Sequence, residues 1–115
     1  MALPLPQESL DRQVALSRVG GDLELLKEIA VLFVDDYPQS LADLHAAAAR
    51  GDAKAVERAA HGLKGSVANF GAAAAFEAAR RIEEFGRAQR LAEVEPMLAK
   101  LELALAALRV ELEAL

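Results

Sequence analysis

The sequence predicts an all-α protein: an antiparallel four-helix bundle with a short additional helix at its N-terminus. Three observations carry that prediction. Alanine and leucine, both strong helix formers, number 26 and 19 among 115 residues, against two isoleucines, eight valines and 4% aromatics. Residues that favour strands are too scarce to build a sheet. Apolar side chains recur every three or four positions over long segments, the period of a helix with one buried face. Glycine and aspartate punctuate these segments at short connections, and short connections make antiparallel neighbours. The length suits a single domain over residues 1–115, with residues 1–8 expected to be extended or poorly ordered.

The elements follow from their caps and stripes. Ser9 is placed as the N-cap of the short first helix, with Leu10, Val14 and Val19 as its apolar contacts and Gly20-Gly21 as its stop. Asp22 then caps a long second helix from Leu23 to about Arg50, striped by Leu26, Ile29, Phe33, Tyr37, Leu41, Leu44 and Ala48. Pro38 removes the hydrogen bond to the carbonyl of Val34. Because the stripe keeps its phase across the proline, a kink is expected rather than a break. Gly51-Asp52 repeats the stop-and-cap pattern and opens a third helix, which reaches about Phe70 and ends at Gly71. A fourth runs from about Ala72 to Phe85, with Gly86 marking the next turn. The last covers roughly Leu91 to Glu113, with Pro96 in its first turn or kinking an early one. Met97 or Leu98, then Leu101, Leu105, Leu108 and Leu112, form its stripe.

Charge and composition exclude several functions. Thirteen basic and eighteen acidic side chains give a net charge of −5, which argues against nucleic acid or an anionic membrane as the main partner. The absence of cysteine rules out disulfides and thiolate zinc sites. The longest uncharged stretch, Gly65 to Phe76, is too short to cross a bilayer. Met1 to Pro6 has no basic residue and two prolines, unlike a signal peptide, so the cytoplasm is the expected location. No metal ligands are assigned, since neither histidine follows a glutamate by three residues. Asp35-Asp36 reads as a solvated helix face. Arg80-Arg81-Ile82-Glu83-Glu84 reads as helix-end charge, with Arg80 or Arg81 at a docking rim.

The third helix is different. At 100° per residue, Val56, Ala60, Leu63, Val67 and Phe70 form one seam facing the core. His61 then points roughly 140° and Gly65 roughly 180° from the centre of that seam. Lys64 lies one turn beyond the histidine, and Ala68 continues the exposed face. Gly62 and Gly65 each cost about 0.8–1 kcal/mol relative to alanine in a helix. Their placement leaves the backbone bare beside the imidazole, which suits close approach by another molecule. An ordinary imidazole is partly neutral at cell pH, and its free ring nitrogen is a usable nucleophile. Phosphoryl transfer needs an in-line approach and nearby positive charge; His61 offers the first and Lys64 the second. No Gly-rich phosphate-binding loop is present, so the phosphoryl group is expected from another protein and the chain is expected to be a carrier rather than an enzyme.

The stretch Ala60-His61-Gly62-Leu63-Lys64-Gly65-Ser66-Val67-Ala68-Asn69-Phe70-Gly71-Ala72 resembles the signature of histidine-containing phosphotransfer (HPt) domains, His-x-Leu-Lys-Gly-Ser followed by Asn-x-Gly-Ala. The flanks, Gly20-Gly21-Asp22 through Leu25-Leu26, Phe33 and Gly51-Asp52, are similar too. The resemblance implies that His61 is the phosphoacceptor and that Lys64 stabilises the phosphoryl charge. It also makes Gly65 the small residue over which a receiver domain closes. Arg58, Gly62 and Ala68 join Gly65 as expected partner-binding positions. Leu63, Ser66, Asn69 and Gly71 are expected to serve packing, local hydrogen bonding and helix ending. The implied partners are response-regulator receiver domains and a hybrid histidine kinase, with Mg²⁺ held by the receiver and no cofactor on this chain.

The other reading is a helical docking or adaptor domain that binds a receiver or kinase without being phosphorylated. His61→Gln separates the two, because it removes transfer in the first case and changes nothing in the second. His45 has Ala48 and Ala49 where the lysine and glycine would stand, so a surface or boundary role is expected for it. A monomer is expected, since the leucine-rich last helix needs its stripe for its own core.

Overall fold

A computed structural model describes residues 9–115, all helix and connecting turn. The helices are α1 (Arg12–Arg18), α2 (Leu23–Ala49), α3 (Ala53–Ala68), α4 (Ala73–Arg87) and α5 (Val94–Glu113), with a 3₁₀ turn at Leu91–Glu93 leading into α5. The expectation for residues 1–8 falls outside the described residues. Helices α2 to α5 form a ring in which α3 packs on α2 and α4, and α5 packs on α4 and α2. The α3–α4 contact is the most extensive, and α5 lies diagonally across the bundle from α3. None of the described helices is long and apolar enough to cross a membrane.

Local chemistry accounts for most boundaries. The carboxylates of Asp22 and Asp52 accept hydrogen bonds from the backbone N–H of Leu25 (3.1 Å) and Ala55 (3.0 Å), capping α2 and α3. In α1 the cap is Asp11 rather than Ser9: its carboxylate accepts from Val14 N–H at 3.2 Å, while Ser9 is buried. Asp11 also donates its own N–H to the Phe70 carbonyl at 2.9 Å. This pins α1 across the end of the bundle where α3 turns into α4. Gly71 makes that turn with φ +59°, and a Cβ on it would lie 2.6 Å from the Cβ of Asp11. Both the left-handed backbone and the crowding demand glycine there.

Helix α2 runs unbroken through Pro38. Leu26, Phe33, Tyr37 and Leu44 of its stripe are buried, while Ile29, Leu41 and Ala48 pack at the edge of the core. Phe33 stacks on Tyr37 and tilts against Phe70, each with ring centroids 5.3 Å apart. In α5, Leu98 rather than Met97 lies in the core, with Leu101, Leu105, Leu108 and Leu112, and Pro96 stands in the first turn.

Gly86 does not mark a turn. Helix α4 continues to Arg87, and the chain reverses at Gln89, with φ 58°. Gly86 is instead a buried contact point, since a Cβ there would lie 2.8 Å from the Glu57 nitrogen and 3.0 Å from the Ala53 carbonyl. Its missing side chain lets α4 approach the backbone of α3, and that approach sets the geometry of the site.

Candidate functional site

Helix α3 presents the seam its sequence describes: Val56, Ala60, Leu63, Val67 and Phe70 are all buried. His61 therefore projects outward, with 69% of its side chain exposed. Arg58, Gly62 and Gly65 are exposed on the same side of the helix, whereas Ala68, placed by the sequence on the exposed face, is half-buried. A Cβ at Gly62 or Gly65 would meet nothing within 4 Å, so the fold itself does not require glycine at either place. Ser66 donates its hydroxyl to the Gly62 carbonyl at 3.1 Å. Asn69 caps the end of α3, and Gly71 follows in its left-handed conformation.

The residue that organises the site is Glu83, read from the sequence as part of a charged helix end. It is buried, only 4% exposed, because α4 turns it toward α3 along with Ala79, Ile82 and Gly86. Its Oε2 lies 2.6 Å from His61 Nδ1, and its Oε1 accepts from Lys64 Nζ at 2.7 Å. Burial pushes the Glu83 carboxyl up, but hydrogen bonds and charge from Lys64 and His61 outweigh it and hold the group below the usual carboxylate range. Glu83 is therefore ionised at neutral pH and can only accept. The proton between it and the ring belongs to Nδ1, so that whenever the imidazole is neutral the free lone pair is on Nε2, the nitrogen turned away from Glu83. Lys64, three-quarters covered, is a partner of Glu83 rather than a free surface charge. Its ammonium has three protons, so others remain for a ligand.

The signal for Glu83 was present in the sequence. Counting back from Gly86 by three and seven reaches Glu83 and Ala79, the apolar stripe of α4, and a carboxylate on such a stripe needs a buried partner. Beyond it, Arg87 donates to Glu57 at 2.9 Å and approaches Glu83 at 3.5 Å. Lys54 lies 3.8 Å from Glu57. Lys54, Arg58, His61 and Arg87, with Glu57 and Glu83, line an open recess beside the imidazole. Positive charge thus gathers around His61 on a chain whose net charge is −5.

The remaining polar residues lie apart. Asp35 and Asp36 are exposed on α2. His45, half-buried, bridges α2 to α5 through Glu102 and, at 3.8 Å, Glu95. Arg80 is held by Glu77 and Glu84 on its own helix. Arg81 and Arg90 flank the ring of Phe85.

A family model described as the Hpt domain matches residues 28–111, well over half of the chain and all of the elements that build this site. The chain belongs to the Hpt domain family. It is accordingly a histidine phosphotransfer protein of phosphorelays, in a family of phosphoryl carriers that work with receiver domains and hybrid kinases. Among solved structures, this Hpt domain is similar to histidine-containing phosphotransfer protein B (HptB) from Pseudomonas aeruginosa PAO1. The two are 28% identical with a TM-score of 0.86, over 92% of each chain. The HPT domain of the Hpt sensor hybrid histidine kinase from Shewanella shares the fold, with a TM-score of 0.80 at 17% identity over 94% of this chain and 93% of that one. No curated protein matches the sequence.

Proposed function

We propose that this Hpt domain accepts a phosphoryl group on Nε2 of His61 from the aspartyl phosphate of a receiver domain and returns it to the aspartate of another. The Nε2 lone pair attacks phosphorus in line with the leaving carboxylate. The N–P bond forms as the P–O bond to aspartate breaks, and the reverse reaction delivers the group onward. Glu83 holds Nδ1–H and balances the positive charge that the ring acquires. Lys64, one turn along α3, keeps one proton on Glu83 and offers others to the phosphoryl oxygens. The single observation carrying this reading is the His61–Glu83 bond, which selects the exposed ring nitrogen as the nucleophile. A domain that only docked would have no use for a buried carboxylate on that ring.

The receiver supplies the aspartate and the Mg²⁺, and this chain needs no cofactor of its own. Without a phosphate-cradling loop it does not bind ATP, so it carries phosphoryl groups without generating them. Gly62 and Gly65 are the bare patch over which the receiver's active site closes, with Arg58 at its edge. Leu63 anchors the helix beneath. The acidic surface as a whole disfavours nucleic acid and membranes, and the proposed setting is the cytoplasm.

Transfer is tested by mixing the protein with phosphorylated receivers from its source and reading intact mass. One acid-labile, alkali-stable phosphoryl group on the wild type and none on His61→Gln is the expected result. Equal phosphorylation of both proteins would refute the assignment of His61.

A further inference from the structure

Helix α5 has a second apolar face that the bundle does not use. Its leucine stripe is spent on the core, yet Leu103 and Val110 stand 64% and 67% exposed on the opposite side. Ala99 and Ala106 are exposed on the same face, giving spacings of four, three and four, the pattern of a helix-pairing seam. Such a seam needs a partner, and the charges beside it say which. On one flank Lys100 and Glu111 have no ion-pair partner among the described residues. On the other flank stand Glu102 and Arg109, which have their own pairs with His45 and Glu113.

We propose that α5 pairs antiparallel with α5 of a second copy of this chain. In a two-fold antiparallel pair each flank meets the same flank of its partner. Lys100 and Glu111 are placed symmetrically about the point between Leu105 and Ala106, and so are Glu102 and Arg109. One two-fold axis through that point therefore brings Lys100 opposite the partner's Glu111, and Arg109 opposite the partner's Glu102, each twice over. The seam from Ala99 to Val110 is centred within about one residue of the same axis. A parallel pair would instead set Lys100 beside the partner's Glu102 and Glu111 beside the partner's Arg109, charges already engaged by His45 and Glu113, whereas the antiparallel pair joins the two charges that lack a partner. One helix pair covers well under the ~800 Å² per partner of a standard interface, so the dimer is weak and concentration-dependent. Because α5 lies diagonally across from α3, both His61 rings stay open to receivers.

Sedimentation equilibrium from about 10 µM to about 1 mM tests this, a range suited to an interface smaller than standard. The wild type should rise from the 12.2 kDa chain mass toward twice that value. Leu103→Glu/Val110→Glu, both on the surface, should stay at the chain mass with an unchanged helical circular dichroism spectrum. Lys100→Glu should weaken association several-fold, and Lys100→Glu/Glu111→Lys should restore it. A wild type at the chain mass throughout overturns the proposal, as does a dimer indifferent to Leu103→Glu/Val110→Glu. A charge swap that fails to restore association overturns the antiparallel register.

Discussion

Glu83 links the stability of the fold to the chemistry proposed for the site. Its carboxyl is held below the usual range in the folded protein. It therefore contributes stability that is present above its unfolded value of about 4.3 and is lost as the pH falls through the lower folded value. Urea unfolding midpoints measured between about pH 3 and pH 6 should fall more steeply toward acid for the wild type than for Glu83→Gln, which has no such group to titrate. The same substitution keeps an oxygen for Nδ1–H but removes the charge proposed to balance the phosphorylated ring. It should slow transfer by about tenfold, equivalent to about 1.4 kcal/mol in the barrier, with receiver affinity unchanged. A transfer rate equal to the wild type would show that Glu83 is only structural. The outward placement of His61 was legible because its neighbours in sequence are its neighbours on the helix. Glu83 was misread because its partners lie 22 and 19 positions away.

At the scale of the element, the glycines of α3 and α4 are opposites. Nothing in the fold crowds a Cβ at Gly65. Gly65→Ala should therefore leave stability unchanged or raise it by up to about 1 kcal/mol in thermal or urea unfolding, while slowing transfer to a receiver. At Gly86 the neighbouring atoms are backbone and cannot move aside. Gly86→Ala should destabilise by about 1–3 kcal/mol and disturb the His61–Glu83 bond, visible as a changed His61 ring shift. Sequence reasoning placed α2, α3 and α5 within a few residues, because aspartate caps and three-four stripes are local signals. It stopped α4 short at Gly86, since whether a glycine ends a helix or admits a neighbour depends on α3, which the local pattern does not contain. The Ser9 cap failed in a related way, as the chain before α1 is fixed by the Asp11–Phe70 hydrogen bond across the bundle.

The whole molecule is acidic, yet Lys54, Arg58 and Arg87 surround the recess beside His61. With Glu57 and Glu83 also lining the recess, that distribution suits the proposed partner, a receiver whose docking face is negative. Exposed charges separated by more than about 10 Å are screened at 0.1 M salt. Receiver association should therefore slow as ionic strength rises, and Arg58→Glu should remove much of that dependence in stopped-flow binding. An association rate indifferent to salt would place recognition in the apolar contacts instead.

The chemistry proposed for the site depends on which nitrogen of His61 reacts. A ³¹P–¹⁵N correlation spectrum of the ¹⁵N-labelled domain, phosphorylated by a receiver, reads that atom directly. Phosphorus coupled to Nε2 of His61, with Nδ1 still carrying its proton toward Glu83, is the predicted result. Phosphorus on Nδ1, or on any other residue, would contradict the account.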